Sequence, residues 1–242
     1  NNARVLRNLF NYRLKDGHCM GNLIITALAE ISGGFIPGIK ETERLLNVTG
    51  RVLPISGSRF KICAETIDGR ILDGESEVSY SKDNPGVKRL FADEKVFLLK
   101  EAGRAIRNAD KIVICAGDLY GSVLPNFLVE GMIDALREST AEKIYVCNLF
   151  TKKNTDGFKA SDFVREVEKY SQVKLDKIII NSRRPSQEVL QKYSEEASSL
   201  VEDDFGEDPR IVRGDYVAEY PLERRTIFRH VSEKIAQAIL AA

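Results

Sequence analysis

The chain has 242 residues, of which 43% are hydrophobic and 30% are charged. This composition is typical of a globular protein that buries a sizeable core. Because 36 Lys and Arg residues balance 36 Asp and Glu residues, no overall charge favours nucleic acid or an anionic membrane as a partner.

The first part of the chain predicts helices followed by an antiparallel β-region. Apolar spacing indicates a helix over residues 3–14, a second that opens at 18–22 and is ended by Gly33 and Gly34, and a third over 37–46. From residue 47 the apolar residues alternate, which predicts strands over 48–53, 60–67 and 70–78. Asp68 and Gly69 form a hairpin signal, and residues 83–86 form a second turn. We expect this β-meander, at about 47–92, to add antiparallel strands to the main sheet.

The remainder predicts an α/β fold with a mostly parallel sheet. Three short apolar strands alternate with helices, a pattern that requires right-handed crossovers. The strands are expected at 112–115, 144–147 and 178–180, and a short one at 211–212. Helices are expected at 94–108, 123–138, 160–171, 186–197 and 225–240, the first of them capped by Asp93. We expect all 242 residues to form a single domain.

A glycine loop follows the strand at 112–115. It contains Gly117, Asp118, Leu119, Tyr120, Gly121 and Ser122, and a helical pattern comes after it. At such a junction the glycines let backbone amides approach a ligand, and the start of the helix attracts phosphate or carboxylate. The alternative is a plain turn in which the glycines serve only backbone geometry.

Polar side chains at other strand ends add candidates for the same site, because ligands lie beyond the carboxyl ends of parallel strands. Asn148 and Thr151 can bind a base, ribose or sugar edge, and Asn148 can equally stabilise its own loop. Arg229, with Arg224 and Arg225, lies where the last helix is expected to begin and can bind phosphate or be solvated. Further cationic candidates are Lys152, Lys153, Arg183 and Arg184.

His18 and Asn22 are one helical turn apart, so both can point from the start of the second helix into one pocket. Helix capping is the alternative role for His18. Asp118 and Asp156 are weak candidates for Mg²⁺, and the segment 154–157 around Asp156 is favoured as a turn.

Cysteine usage and hydropathy predict a cytoplasmic protein. The four cysteines lie far apart with no C-x-x-C pair, which fits a reducing compartment. No apolar run approaches the roughly 18 residues of a membrane span, and no signal peptide opens the chain. The chain begins without Met and within an amphipathic pattern, so we expect further sequence upstream of residue 1.

Several segments, in order along nearly the whole chain, resemble one known family. They are GHCMGNLIITALAEISGGF, NVTGRVLPIS, AGDLYGSVLPNFLVEGMIDAL, YVCNLFTKKNTDGF and FRHVSEKIAQAI. They look like the YvcK family of gluconeogenesis factors, in the CofD-like superfamily, whose other branch contains 2-phospho-L-lactate transferase. The resemblance implies a Rossmann-like three-layer fold and a cytoplasmic bacterial protein that binds a nucleotide sugar such as UDP-GlcNAc. It also implies regulation of carbon metabolism, cell-wall supply and cell shape rather than established catalysis.

The resemblance also assigns site residues. The family's G-H-S-x-G-N motif falls on Gly17, His18, Cys19, Gly21 and Asn22, with Cys19 in place of serine. Its phosphate-side loop falls on the segment from Gly117 to Ser122, and its P-N pair ends at Asn126. Tyr193 matches an aromatic nucleotide-sugar position and Arg229 matches the arginine of the closing R-H-D motif.

Some positions depart from the family pattern. Asp118 stands where relatives tend to have serine, and its carboxylate would repel a phosphate unless it binds a metal or points away. Val231 replaces the aspartate of the R-H-D motif, and Ser232 falls at a hydroxyl that can be phosphorylated in relatives. The family's opening G-G-G-T-G loop is missing from this sequence.

Three functional hypotheses follow. The first is a nucleotide-sugar-binding regulator in which loop amides and Arg229 hold the pyrophosphate, while Asn148, Thr151 and Tyr193 contact the base or sugar. The second is a CofD-like transferase that moves a phospholactyl-type group from a nucleotide diphosphate donor to a hydroxyl, with Mg²⁺ on Asp118 or Asp156. The third is a scaffold that has lost its ligand and binds protein partners, such as a regulatory protein. A homodimer is compatible with each.

Overall fold

The structure is a computed structural model that describes residues 2–81, 85–222 and 225–241. The chain forms two compact units, Asn1–Ser58 and Arg59–Ala242. The single domain stays a prediction. None of the helices in the described ranges is long and apolar enough to cross a membrane.

The first unit consists of three helices, α1 (Asn2–Asn11), α2 (Met20–Ile31) and α3 (Phe35–Leu46), as predicted. Gly33 ends α2 with φ +77°, a conformation that strains other residues. A side chain at Gly38 would come within 2.5 Å of the Ala29 backbone, so α2 and α3 cross closely there. The strand predicted over 48–53 is wrong, because the Val52 amide donates to the carboxylate of Glu43 on α3 rather than to a neighbouring strand.

The second unit begins with an antiparallel sheet of its own, in the order β2-β1-β3. Its strands are β1 (Ile62–Thr66), β2 (Ile71–Asp73) and β3 (Val87–Ala92). The predicted turn between β1 and β2 is confirmed, with Gly69 at φ +86°. The strand expected over 70–78 ends early, because Gly74 (φ +95°) turns the chain into helix α4 (Glu75–Tyr80). Part of the turn predicted at 83–86 lies outside the described residues.

A four-stranded parallel sheet in the order β4-β5-β6-β7 is the centre of this unit and confirms the predicted α/β class. Its strands are β4 (Lys111–Ile114), β5 (Glu142–Val146), β6 (Lys177–Asn181) and β7 (Ile211–Gly214). Ile144, Val146 and Ile179 pack against Ile235 and Ala238 of helix α9 (Ser232–Ala241). Alternate strand residues are buried too, so helices cover both faces in three layers. The other helices of this unit are α5 (Lys100–Arg107), α6 (Met132–Glu138), α7 (Ala160–Ser171) and α8 (Gln187–Glu195).

Two predicted helices begin later than expected. Helix α5 starts at Lys100 rather than at 94, because the Asp93 carboxylate accepts from the Lys61 amide (2.7 Å) and Phe97 bridges to Glu130. The helix predicted over 123–138 is a π-helical turn (Leu119–Val123), a 3-10 turn (Leu124–Leu128) and then α6. Gly131, at φ +89°, separates the last two.

The helix predicted over 225–240 is wrong in its first half. Residues Arg225–His230 form strand β9, which pairs antiparallel with β8 (Val217–Leu222), and α9 begins only at Ser232. Ile227 and Phe228 are 8% and 2% exposed, and burial of both neighbours suits a strand covered on two sides better than one helical stripe. Arg229 therefore belongs to a β-hairpin.

Candidate functional site

A crevice of about 400 Å³ lies beyond the carboxyl ends of β5 and β6. This is the edge at which open parallel sheets bind their ligands. Cys147 and Asn148 follow β5, Asn181 ends β6, and two further segments form the walls. The lining residues are Cys147, Asn148, Leu149, Ile180, Asn181, Ser182, Arg183, Arg184, Leu200, Val201, Glu202 and Asp203.

Asn148 connects the segments that follow β4 and β5. Its side-chain amide donates to the Gly117 carbonyl (2.7 Å), which lies after β4. Its Oδ1 accepts from the hydroxyl of Tyr145, a side chain with no exposed surface (2.8 Å). The loop-stabilising role is thus present, and the half-buried Asn148 also lines the crevice.

Two arginines form the basic side of the crevice. Asn181 holds their loop: its amide donates to the Arg183 carbonyl (2.7 Å), and its Oδ1 accepts from the Arg183 amide (3.3 Å). Both guanidinium side chains are exposed, and that of Arg183 makes one long contact with Asp215 (3.7 Å). The two arginines therefore place positive charge at the crevice, and the hydrogen bonds from Asn181 hold the backbone of their loop.

The acidic side is the stretch that contains Glu202 and Asp203. Asp203 pairs with Arg213, and although burial opposes ionisation, the hydrogen bonds from Arg213 and the Phe205 amide keep the pKa of Asp203 below its ordinary value. The Asp203 carboxylate therefore stays ionised at neutral pH and accepts hydrogen bonds. Sequence reasoning did not assign this acidic stretch to the site, because its proximity to β5 depends on long-range pairing.

That pairing involves Thr151. The Thr151 amide donates to the Ser199 carbonyl (2.8 Å), its hydroxyl accepts from the Ser199 amide (2.9 Å), and Phe150 bridges to Leu200. Thr151 is only 2% exposed. Its side chain thus positions a wall of the crevice rather than facing it.

The glycine loop is occupied by its own acidic residue. The Asp118 carboxylate is 7% exposed and accepts from Lys152 Nζ (2.8 Å), the Gly121 amide (3.0 Å) and Asn154 Nδ2 (3.3 Å). Burial raises the pKa, but these hydrogen bonds outweigh burial and leave the pKa of Asp118 below its ordinary value. The carboxylate points into the loop and pairs with a lysine.

The other loop residues are mostly turned inward. Leu119 and Tyr120 are 2% and 1% exposed, and the Tyr120 hydroxyl donates to Glu166 on α7 (3.2 Å). The Asn126 amide donates to the Ser122 and Val123 carbonyls (2.8 and 2.9 Å). Ser122 is the exposed one of these predicted site residues.

Tyr193 stacks on Phe150, with ring centroids 3.9 Å apart, and Phe150 meets Phe228 edge to face. This aromatic cluster (Phe150, Tyr193, Phe228) adjoins the crevice, because Leu149 packs against it and also lines the crevice. Arg229 is exposed and follows Phe228 in β9, so the two side chains leave opposite faces of the hairpin. Arg229 is therefore not on the side that Tyr193 occupies.

The remaining candidates lie elsewhere. His18 and Asn22 are exposed residues of the first unit, and α2 begins only at Met20, so the one-turn spacing argument for His18 is wrong. Asp156 is exposed at the end of a 3-10 turn, as its turn interpretation predicts. Within the described ranges, no three His, Cys, Asp or Glu side chains group as a metal site.

An open parallel sheet with a polar crevice beyond its strand exits places the protein in the class of open α/β folds. Comparison with known proteins narrows this class. Residues 1–217 match the family described as 2-phospho-L-lactate transferase CofD. The chain is 37% identical to the gluconeogenesis factor of Halalkalibacterium halodurans (98% of this chain, 75% of the relative) and 32% identical to that of Bacillus subtilis (98% and 76%).

A crystal structure of a Bacillus halodurans protein superimposes with a TM-score of 0.88 at 36% identity, covering 98% of this chain and 78% of that one. The chain therefore belongs to the YvcK family of CofD-like proteins, and the resemblance seen in its sequence is confirmed.

Proposed function

We propose that this protein binds an anionic nucleotide sugar in the crevice beyond β5 and β6. The observation that carries the proposal is the pairing of two exposed arginines with two crevice-lining asparagines at the carboxyl edge of a parallel sheet. A volume of about 400 Å³ falls in the range of small-molecule sites. Each charge-assisted contact from an arginine to a phosphate contributes about 1.5–3 kcal/mol.

In this proposal the pyrophosphate lies against Arg183 and Arg184. Glu202 and Asp203 on the acidic side accept hydrogen bonds from ribose or sugar hydroxyls, and Asn148 contacts the base or sugar through its remaining hydrogen-bonding capacity. Tyr193 extends the site, with Phe150 stacked on one of its faces.

This assignment changes the expected phosphate ligands. Arg183 and Arg184 replace Arg229 as the expected phosphate ligands, because Arg229 lies on the opposite hairpin face from the aromatic cluster. The loop amide of Gly121 is not a phosphate ligand in this proposal, because it is already bonded to Asp118.

The proposal is tested by isothermal titration with UDP-GlcNAc. Arg184→Ala should weaken binding about 10- to 100-fold, as loss of one charge-assisted contact predicts. Arg104→Ala, which removes an exposed arginine from α5 outside the crevice, is the matched control and should bind like the wild type. Absence of both heat and a thermal shift with UDP-GlcNAc and UDP in the wild type would refute the proposal.

A regulatory role in carbon metabolism is the activity that we assign to the bound state, by analogy with relatives named gluconeogenesis factors. Cell-wall supply, cell shape, a cytoplasmic location and a regulatory protein partner belong to the same proposal. Ser232 is exposed at the first position of α9, where the helix dipole favours an added phosphate. Incubation with a bacterial Ser/Thr kinase, followed by mass spectrometry of wild type and Ser232→Ala, tests that modification.

The rival function is a CofD-like transferase, which the description of the matching family favours. Its metal would need Asp118, whose carboxylate is already paired with Lys152, or the exposed Asp156. Mg²⁺-dependent consumption of a nucleotide diphosphate donor in the presence of a hydroxyl acceptor distinguishes the rival from a regulator that binds without turnover.

A further inference from the structure

The cluster around the Asp118 carboxylate is assembled from three separate segments. Ser79 comes from α4, Asp118 and Gly121 from the loop after β4, and Lys152 and Asn154 from the segment after β5. An ammonium, a backbone amide and a side-chain amide all donate to this single carboxylate. Such a mixed set of donors is what proteins use to hold a ligand oxyanion.

The cluster also contains buried polar atoms that the Asp118 carboxylate does not bind. Ser79 Oγ and Asn154 Oδ1 are buried and have no hydrogen-bond partner among the described residues, although the two side chains are only 3% and 2% exposed. Ser79 Oγ lies 2.3 Å from the point that a Cβ on Gly121 would take, and Asp118 Oδ1 lies 3.3 Å from that same point. The free hydroxyl therefore faces the same side of the loop as the carboxylate.

We propose that Asp118 is a specificity-determining residue whose carboxylate acts as a tethered anion in an oxyanion site formed by Lys152, the Gly121 amide, Asn154 and Ser79. It excludes free phosphate from the glycine loop. This goes beyond the proposed function and does not depend on nucleotide binding.

The charges around Asp118 explain why free phosphate is excluded from the glycine loop. With Asp118 present, the ammonium of Lys152 is neutralised, and an arriving phosphate would meet a carboxylate and an amide that is already bonded. The lowered pKa of Asp118 keeps the carboxylate ionised at neutral pH, so the site stays filled. Without the carboxylate, the same donors surround an empty position, and Lys152 loses its ion-pair partner. Because the Lys152 side chain is 44% exposed, solvent and small anions can reach this position.

The test uses the complete chain and inorganic phosphate or formate as probes, at constant ionic strength with chloride as the reference. Asp118→Ala should bind phosphate at least ten times more tightly than the wild type in isothermal titration. Formate or phosphate should also raise its melting temperature by more than it raises that of the wild type. Adding Lys152→Gln to Asp118→Ala should abolish both effects.

Asp118→Ser keeps a hydroxyl cap for the Gly121 amide and replaces the alanine variant if that variant does not fold. Equal phosphate affinity in wild type and the Asp118 variants, or a gain in phosphate affinity on Asp118 replacement that persists without Lys152, would overturn the proposal. UDP-GlcNAc binding is measured separately, so loss of the crevice function leaves this result interpretable.

Discussion

Replacing Asn148 by alanine tests the link between the exits of β4 and β5. The substitution removes the bond to the Gly117 carbonyl and leaves the fully buried Tyr145 hydroxyl without its acceptor. A lost hydrogen bond costs about 0.5–1.5 kcal/mol, and an orphaned buried donor costs about 1–3 kcal/mol. Asn148→Ala should therefore lower the free energy of unfolding by about 2–4 kcal/mol, or roughly 4–16 °C in melting temperature for a chain of this size.

A double-mutant cycle isolates the orphaned hydroxyl. Tyr145→Phe removes the hydroxyl that Asn148→Ala leaves without an acceptor. The double variant should therefore be destabilised by about 1–2 kcal/mol less than the sum of the two single-variant effects. Urea denaturation followed by far-UV circular dichroism measures each corner of the cycle. Asn126→Ala is the control, because among the described residues the Asn126 amide bonds to carbonyls three and four residues back; it should cost under about 1.5 kcal/mol. Strict additivity in the cycle would refute the reasoning.

Three further predictions concern other parts of the chain. Because the pKa of Asp118 is lowered in the folded state, its ionised form stabilises the fold above about pH 4, and this contribution disappears as pH falls through the folded pKa. The difference in melting temperature between wild type and Asp118→Asn should therefore shrink on acidification. A difference that stays constant with pH would contradict this. Phe228→Ala should cost about 3–5 kcal/mol in urea denaturation, whereas Arg229→Ala, at the next and exposed position, should stay within about 0.5 kcal/mol. Gly38→Ala should collide with α2 and reduce helical circular dichroism, whereas Gly33→Ala should cost only about 1–2 kcal/mol of backbone strain; equal effects would refute the close helix crossing.

The parallel sheet was predictable because its signals are local. The runs at 112–115, 144–147 and 178–180 are short, apolar and β-branched, and β4, β5 and β6 lie within two residues of them at each end. Helix α7 begins and ends where its apolar spacing indicates. Signals of this kind are set by neighbours a few residues away, so the sequence carries them without knowledge of the fold.

The β8–β9 hairpin was missed although a signal for it existed. Thr226, Ile227 and Phe228 are β-branched or aromatic, which favours a strand, but the arginines and the helical spacing that continues into α9 favoured a single long helix. Strand pairing with residues 217–222 decided the outcome, and that pairing is a tertiary effect.

The candidate site was predictable only in part for the same reason. Asn148 lies at a strand exit, so its position followed from the sheet. The ion pair between Asp118 and Lys152 joins residues 34 positions apart and had no local signal, although an Asp three residues before a loop amide is a recognisable capping arrangement. The contribution of Glu202 and Asp203 required knowledge of the Phe150 to Leu200 bridge.

The anchoring of Tyr120 to Glu166 has a kinetic consequence. A loop whose central aromatic ring is embedded in the interior and bonded to a neighbouring helix cannot swing open without exposing that ring to water. The loop that Asn148 joins to the crevice is thus held in place before any ligand arrives. Under the proposed function, association should proceed in one step whose rate rises linearly with ligand concentration.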